Sequence, residues 1–334
     1  MEISLENLKK ILDSFSQKKI IVIGDLMLDH YIFGDVSRIS PEAPVPVVNA
    51  SGEKHCLGGA ANVSNNIKSL SATPLTIGTI GQDANGTIVK TLFAESRIST
   101  EGIFLAANKP TIKKTRIVAR NQHLLRIDFE NPKYNHHEIE KEILNYIKKI
   151  ISTVDGVILQ DYNKGFLSKN LIKKIIKLAN ENDVIISVDP KNTNFFEYKN
   201  ISLFKPNKIE VEKSFGHEIQ NDKDLITAAE KLIKKLNARY LLITLGKDGM
   251  FIYNQSGEYW TIPTFSQEVY DVSGAGDTVI STLTLALCSG CDIRTASIIA
   301  NHAAGVVCGK IGAASVTTEE IINSFHNWKH IEES

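Results

Sequence analysis

The sequence predicts an α/β fold, in which helices cover both faces of a mostly parallel β-sheet and a small second β-sheet projects from it. Two observations lead to this prediction. Short β-branched runs alternate with helix-length segments over most of the chain, and such alternation indicates βαβ units. Two segments, 31–55 and 111–129, break the alternation. Because no repeat or low-complexity linker divides the chain, we expect one domain over residues 1–330.

The individual elements are predicted from hydrophobic periodicity and β-branched runs. Residues 1–19 have the spacing of an amphipathic helix and lack the apolar stretch of a signal peptide. The predicted strands are 20–23, 75–80, 156–159, 184–188 and 240–244, and the predicted helices are 60–70, 84–96, 171–180 and 225–236.

The two irregular segments are predicted to form the projecting sheet. Segment 111–129 alternates residue types as antiparallel strands do, and segment 31–55 is rich in Pro, Gly and Val. An alternative is a pair of irregular loops, because Pro41, Pro44 and Pro46 disfavour central strands. A sheet beside the carboxyl edge of a parallel sheet would act as a lid that excludes water.

Composition excludes several classes of protein. The 38 Lys and Arg balance 38 Asp and Glu, so a protein that coats nucleic acid or an acidic membrane is not expected. Apolar runs fall short of the ~18 residues of a membrane helix. Cys288 and Cys291 form a CxxC pair, which we interpret as buried thiols rather than a zinc or redox site. We therefore expect a cytoplasmic protein without nucleic-acid or membrane partners.

Two glycine-rich segments lack the residues of common nucleotide-binding motifs. Segment 81–87 has the glycine spacing of a Walker A loop but no Lys after Gly86. Segment 274–279 begins like a dinucleotide fingerprint, but Val279 occupies the third glycine position. Neither a Walker NTPase nor a Rossmann oxidoreductase is predicted.

The most informative segment is 271–278, which leads into an apolar helix. Gly274 and Gly276 allow the backbone to approach a ligand, and the amides of Gly274, Ala275 and Gly276 at the helix start favour an anion. Asp277 beside them could accept a proton from a hydroxyl while the amides stabilise a transferring phosphoryl group. The alternative is that Asp277 only caps the helix.

A second group of polar residues lies near the amino terminus. Gly58 and Gly59 open a helix that carries Asn62, and Asp25 and Asp29 follow the first predicted strand. Since ligands bind at the carboxyl edge of parallel sheets, these side chains suit the hydroxyls of a sugar. A simple turn and solvated acids are the alternatives.

The two glycine motifs, in this order, resemble those of the PfkB/ribokinase family of sugar kinases over essentially the whole chain. The resemblance implies a ribokinase-like three-layer α/β/α sandwich with a β-sheet lid. It implies that Asp277 is the catalytic base, and that Gly274, Ala275 and Gly276 form the anion hole. It also implies a homodimer formed through the lid.

The resemblance further implies a site for ATP and Mg²⁺. In the family's NxxE element, the residues matching Asn207 and Glu210 organise Mg²⁺ and the phosphates, partly through water. Some members bind a monovalent cation, and the sequence leaves open whether this chain holds K⁺ near Asp271. The implied ATP-binding residues are Asn207, Lys208, Glu210, Thr244, Gly246, Gly249 and Asn301.

Within the family, segments 39–48, 114–116, 121–130 and 161–165 resemble the branch that phosphorylates D-glycero-β-D-manno-heptose 7-phosphate. Asn163 stands where that branch is expected to have Gly. Its members phosphorylate the C1 hydroxyl, giving the 1,7-bisphosphate for ADP-heptose and lipopolysaccharide inner-core synthesis. Related bifunctional members carry a nucleotidyltransferase domain after the kinase, and from the length we expect the kinase-only form. Another sugar or sugar-phosphate kinase, such as a ribokinase, and a non-catalytic sugar-binding regulator are the alternatives.

A phosphosugar also needs cations for its phosphate. Arg116 and Arg126 fall on the second lid segment, and Lys164 follows a predicted strand. Arginine suits a phosphate because its guanidinium presents a rigid fork of donors. For each of these residues, a solvated surface cation is the alternative.

Overall fold

The structure, a computed structural model, describes residues 3–106, 109–119, 122–130, 139–265, 272–310, 312 and 314–332. Its strands are β1 (Lys19–Gly24), β2 (Leu26–Ile39), β3 (Pro46–Gly59), β4 (Thr73–Gly81), β5 (Ile103–Ala106), β6 (Ile112–Ala119), β7 (Gln122–Phe129), β8 (Gly156–Gln160), β9 (Ile185–Asp189), β10 (Leu203–Phe204), β11 (Tyr240–Thr244), β12 (Met250–Asn254) and β13 (Tyr259–Ile262). Its helices are α1 (Leu5–Ser14), α2 (Ala60–Ser69), α3 (Ala84–Glu95), α4 (Glu140–Ile150), α5 (Lys169–Asn180), α6 (Lys208–Phe215), α7 (Asp222–Leu236), α8 (Ala275–Cys288), α9 (Ile293–Cys308) and α10 (Thr318–Glu332).

The main sheet has nine strands in the order β13-β12-β11-β10-β9-β8-β1-β4-β5. From β11 to β5 neighbouring strands are parallel, whereas β12 and β13 extend the sheet as antiparallel strands. Every strand and helix predicted from periodicity is present, with ends that differ by up to three residues except for the amino-terminal helix, which covers Leu5–Ser14 of the predicted 1–19. The predicted mostly parallel α/β sheet is therefore confirmed.

Helices cover both faces of this sheet, as the alternation within β1 illustrates. Ile20 and Val22 pack into a core with residues of α1, α2, α3, α8, α9 and α10. Ile21 and Ile23 pack on the opposite face into a second core with residues of α4, α5, α6 and α7. The result is a three-layer α/β/α sandwich. Among the described helices, none is both long and apolar enough to cross a membrane.

The two irregular segments form the small second sheet, in the order β3-β2-β6-β7. The alternative of irregular loops is wrong: β2 pairs antiparallel with β3 and parallel with β6, and β6 pairs antiparallel with β7. In the first segment the strands begin earlier and end later than predicted, whereas β6 and β7 lie within the predicted 111–129. The prolines do not interrupt them, because Pro41 and Pro44 lie in the turn and Pro46 is the first residue of β3.

Candidate active site

The candidate site lies where the carboxyl ends of central strands meet the amino end of α8. Asp25 follows β1 directly, Gln160 ends β8 and Asp189 ends β9. The side chains of Gln160 and Asp189 are within hydrogen-bond distance of each other, and Gln160 also contacts Asp277. Ligands of parallel α/β sheets bind at this edge.

Asp277 is buried in the first turn of α8, and its carboxylate is held by three donors from other elements. The Tyr162 hydroxyl and Gln160 Nε2 donate to Oδ1 at 2.7 and 3.2 Å, and Asn62 Nδ2 donates to Oδ2 at 2.8 Å. The residue at the N-cap position is Gly274. The Asp277 side chain therefore faces the sheet edge, in contact with groups from β8, the following loop and α2.

The electrostatic environment of Asp277 favours a carboxylate that can exchange a proton near neutral pH. Burial raises its pKa to about 6, hydrogen bonds from Asn62 and Tyr162 oppose the rise, and nearby Asp189 adds to it. A general base works best when its pKa lies close to the operating pH. Such a perturbed pKa at a sheet edge is typical of functional sites.

A buried ion pair stands beside Asp277. Lys205 Nζ lies 3.1 Å from the carboxylate of Asp189, and both side chains are almost fully buried. A Cβ added to Gly276 would lie 3.6 Å from the same Nζ, so the ammonium faces the start of α8. Lys205 and Gln160 were not predicted as site residues. For Lys205, the position two residues before the NxxE element could have indicated a role in the site.

The amino end of α8 has the conformation expected of an anion site. Gly274 has φ +85°, in the left-handed region that glycine adopts readily. The Ala275 amide donates to the Val272 carbonyl at 3.3 Å, so it is engaged in the preceding turn. First-turn amides of a helix lack intrahelical acceptors, and the Gly276 amide belongs to this group.

Asp25 fixes the loop that follows β8. It is buried and accepts hydrogen bonds from the backbone amides of Tyr162, Lys164 and Phe166, at 3.1 to 3.3 Å. Burial raises the pKa of its carboxyl group. In the same loop Asn163 has φ +59°, in the left-handed region. Glycine adopts this conformation readily, which explains why Gly was expected here, and Asn tolerates it.

Asp29 lies against the predicted glycine turn. Its carboxylate forms an ion pair with Arg116 at 2.6 Å. A Cβ on Gly58 would lie 2.5 Å from Asp29 Oδ2, and one on Gly59 would lie 2.4 Å from the Asp25 carbonyl. Both glycines are therefore required by the close approach of β2 and β3, and they hold Asn62 at the start of α2.

One face of the small sheet gathers positive charge. Arg116 and Arg126 are directly opposite each other on β6 and β7, and Lys114 shares their face. Burial, Lys164 and Arg116 lower the pKa of Lys114, whereas Asp29 raises it. Lys114 belongs to this cluster although the sequence analysis did not single it out as a site residue.

All three predicted cations have acidic partners, Arg116 with Asp29 as described above. Lys164 Nζ lies 2.7 Å from Glu130, and Arg126 lies 3.0 Å from Asp128 with 59% of its side chain exposed. Arg116 faces Arg126 on the neighbouring strand, and Asp29 and Asp128 partner the two guanidinium groups.

The NxxE element caps α6. Asn207 Oδ1 accepts from the Glu210 amide and Glu210 Oε2 accepts from the Asn207 amide, both at 2.8 Å, while Lys191 pairs with Glu210 Oε1. Carboxylate and amide oxygens suit Mg²⁺, and because these oxygens are already engaged, they fit a contact through water. Lys208 is partly exposed and lies 3.9 Å from Glu212.

The turn after β11 lies beside this cap. Thr244 forms an isolated bridge with Asn207. Gly246 and Gly249 have φ +65° and +90°, and a Cβ on Gly249 would lie 2.1 Å from the Ile262 carbonyl. The structure thus brings the two predicted nucleotide-binding segments together.

Two further predictions concern the ends of this region. Asn301 is buried on α9 and donates to the Pro263 carbonyl at 2.6 Å, so it anchors the segment after β13. Asp271, the predicted K⁺ neighbour, lies outside the described residues.

Comparisons with known proteins give a consistent result. Residues 17–320 match the family described as pfkB family carbohydrate kinase. The chain is 44% identical to the Bifunctional protein HldE of Nitratiruptor sp. over 303 residues, covering 91% of this chain and 64% of that protein. It is 42% identical to the HldE of Wolinella succinogenes, covering 95% and 66%. The chain thus spans just under two thirds of the length of these relatives.

Solved structures share the fold at low identity. Arabidopsis thaliana ribokinase complexed with ribose and ATP has a TM-score of 0.71 at 16% identity, over 92% of this chain and 98% of that one. Phosphofructokinase-2 from Escherichia coli in complex with potassium has a TM-score of 0.74 at 16% identity, over 93% and 99%. The ribokinase-like fold predicted for this chain is thereby confirmed.

Proposed function

The chain belongs to the pfkB family of carbohydrate kinases, and we propose that it transfers the γ-phosphate of ATP to the C1 hydroxyl of D-glycero-β-D-manno-heptose 7-phosphate. The product would be the 1,7-bisphosphate, used for ADP-heptose and the lipopolysaccharide inner core. Support comes from the resemblance of segments 39–48, 114–116 and 161–165 to the branch with this substrate. The HldE relatives are called bifunctional, and the proposal concerns the kinase reaction alone.

The observation that carries the substrate class is the basic face of the small sheet. A sugar without phosphate would not need Arg116 opposite Arg126, with Lys114 beside them. The 7-phosphate of a heptose would accept hydrogen bonds from these groups alongside their contacts with Asp29 and Asp128. Asp29 shares the face, and its carboxylate suits the hydroxyls between C1 and C7.

At the reacting end, Asp277 would accept the proton of the C1 hydroxyl as that oxygen attacks the γ-phosphate. Asn62, Gln160 and Tyr162 hold the carboxylate in place. The amide end of α8 and the Lys205 ammonium would face the charge on the transferring phosphoryl group, where electrostatic stabilisation contributes most.

On the nucleotide side, Asn207 and Glu210 would hold Mg²⁺ through water, and the turn with Gly249 would approach ATP. Bound Mg²⁺ neutralises charge on the phosphate oxygens. Asn301 would lie near the adenine, as the family resemblance implies.

We also propose a homodimer formed through the small sheet, with the apolar side chains of β7 at the interface. Leu125, Ile127 and Phe129 alternate along β7 on the face opposite Arg126, and each is exposed. Contiguous exposed apolar side chains mark interaction surfaces.

The test is ADP release with a panel of acceptors, followed by ³¹P NMR of the product. Heptose 7-phosphate should stimulate ADP release at least 100-fold over unphosphorylated heptose, ribose and fructose 6-phosphate, and phosphate should appear at C1. A clear preference for ribose or fructose 6-phosphate would instead indicate another sugar kinase. ATP binding without turnover on any acceptor would indicate a regulator.

A further inference from the structure

The two oxygens of the Asp277 carboxylate have unequal surroundings. Oδ1 accepts from both the Tyr162 hydroxyl and Gln160 Nε2, whereas Oδ2 accepts from Asn62. Each carboxylate oxygen has two lone-pair sites. The described contacts therefore fill the sites on Oδ1 and leave one on Oδ2 for a substrate hydroxyl.

We propose that Tyr162 and Gln160 are positioning residues that hold Oδ1, so that Oδ2 of Asp277 accepts the proton of the sugar hydroxyl. This inference rests on the proposed role of Asp277 as catalytic base. The sequence analysis assigned a role to neither side chain, and neither needs to touch the sugar to act in this way.

Tyr162 is itself held in place. Its amide donates to Asp25 Oδ2 at 3.3 Å, and the ammonium groups of Lys114 and Lys191 lie 5.1 and 5.8 Å from the centre of its ring. Its hydroxyl keeps its proton, because burial and the neighbouring Asp277 raise the phenol pKa well above 10. Tyr162 therefore acts as a fixed donor to Oδ1 at neutral pH.

Gln160 is anchored from the other side. It ends the central strand β8, and its Nε2 also donates to Asp189 Oδ2 at 3.0 Å. Asp189 in turn pairs with Lys205. A rigid supporting shell of this kind holds a reacting group in productive geometry.

In the reaction, the C1 oxygen forms a bond to the γ-phosphorus while the bond from that phosphorus to the β–γ bridging oxygen breaks. The bridging oxygen leaves with the bonding electrons as part of ADP. The C1 hydroxyl proton passes to Oδ2 of Asp277 and is released to water after the product leaves. Tyr162 and Gln160 exchange no proton.

Removal of a donor to Oδ1 has a predictable sign. Hydrogen bonds to an ionised carboxylate lower its pKa, so loss of one raises the pKa of Asp277. The charged and titratable groups that face this carboxylate are Asp189, Lys205, Lys191 and Tyr162. Because the base must be ionised, the acidic limb of the kcat/KM profile should move to higher pH.

The experiment compares Tyr162→Phe with Tyr198→Phe. Tyr198 is also buried and donates its hydroxyl to a carboxylate at 2.6 Å, but to that of Asp161. We expect Tyr162→Phe to lower kcat about 10- to 100-fold, with KM for both substrates changed less than about threefold. Its acidic limb should rise by about one pH unit, whereas that of Tyr198→Phe stays in place.

Gln160→Met provides a second variant if Tyr162→Phe fails to fold, as judged by circular dichroism. It removes the other donor to Oδ1, and it should also lower kcat and move the acidic limb of the profile to higher pH. Unchanged profiles in both variants, or an equal shift in Tyr198→Phe, would overturn the inference. A wild-type chain inactive on every sugar would instead contradict the proposed function.

Discussion

At the scale of single residues, Asp277 combines a catalytic requirement with a cost in stability. Its folded-state pKa is about 6, against an ordinary value of 3.8. Since the pKa is raised on folding, the protonated group favours the folded state. That contribution is fully present below about pH 4 and is lost as the pH rises through 6, a difference of about 3 kcal/mol.

Asp277→Asn should therefore separate activity from stability. We expect kcat to fall at least about 100-fold and ATP affinity to stay within several-fold. At pH 8 the free energy of unfolding should rise by up to about 3 kcal/mol, because the buried charge is absent. At pH 4 this gain should vanish. Urea unfolding at both pH values, with kinetics at pH 8, measures the two effects.

The control for this substitution is Asp161→Asn. Burial also raises the pKa of Asp161 to about 6, but its carboxylate contacts Tyr198 and Asn194 rather than Asp277. Asp161→Asn should raise the free energy of unfolding at pH 8 by a similar amount, with a much smaller loss of kcat than Asp277→Asn. Full activity of Asp277→Asn would contradict the assignment of Asp277 as base.

Sequence patterns identified Asp277 because it stands in a dense motif, whereas Gln160 carried no local signal and Lys205 only its position two residues before the NxxE element. Gln160 is the last residue of β8 and Lys205 follows β10, each as an isolated polar residue. They meet because β8, β9 and β10 are adjacent in the sheet, which residue spacing alone does not reveal. Gln160 and Asp277 are 117 positions apart in the sequence, so their contact can be recognised only when the fold is known.

At the scale of elements, the predictions did not include the helices α4 and α10 or the short strands β5, β10, β12 and β13. The two-residue β10 is below the length that periodicity can detect. Strand β2 includes Asp29, and strand β3 includes Gly58 and Gly59, which the sequence predicted as a loop and a turn. These site residues interrupt the apolar alternation, so the ends of the two strands could not be predicted.

The segment with Walker-like glycine spacing has a structural role at the base of the small sheet. Asp83 accepts from the Gly86 amide at 2.7 Å and so caps α3. Its carboxylate also accepts from the Thr111 amide and hydroxyl, at 2.8 and 2.7 Å. Thr111 directly precedes β6, so one side chain connects the main domain to a strand of the proposed lid.

Asp83→Ala tests this connection. Loss of the cap should cost about 1 kcal/mol in the free energy of unfolding. If the lid positions the sugar phosphate, KM for the sugar should also rise about tenfold with little change in KM for ATP. Steady-state kinetics at saturating ATP measure the effect.

Asp292→Ala is the matched control for that variant. Asp292 caps α9 by accepting from the Thr295 amide at 3.0 Å, remote in sequence from the small sheet. It should lose comparable stability without the change in sugar KM. An equal rise in the sugar KM of both variants would mean that the loss of any helix cap causes it, and the proposed connection to the lid would be wrong.

At the scale of the whole molecule, a net charge of zero is compatible with the two polyanionic substrates proposed for this chain. The positive groups are concentrated at specific places: Lys205 beside α8, and Arg116 with Lys114 on one face of the small sheet. Composition could not predict this arrangement, because it averages over the faces of the strands.

On the opposite face of the small sheet the side chains of β7 are apolar, and they carry the last prediction. Leu125 is 54% exposed there, and a soluble dimer interface typically buries about 1,200–2,000 Å². If two copies pair through this face, a buried Glu at position 125 would lose hydration without gaining a partner. Leu125→Glu should therefore shift the wild-type dimer to monomer at micromolar concentration, measured by sedimentation velocity.

Tyr259→Glu is the control for the dimer, because Tyr259 is 51% exposed but lies on β13 at the far edge of the main sheet. That variant should stay dimeric. A monomeric wild type, or a dimer that survives Leu125→Glu, would contradict pairing through this face. Since the two faces of one sheet would then serve the substrate and the partner copy, loss of the dimer should also raise KM for the sugar more than KM for ATP.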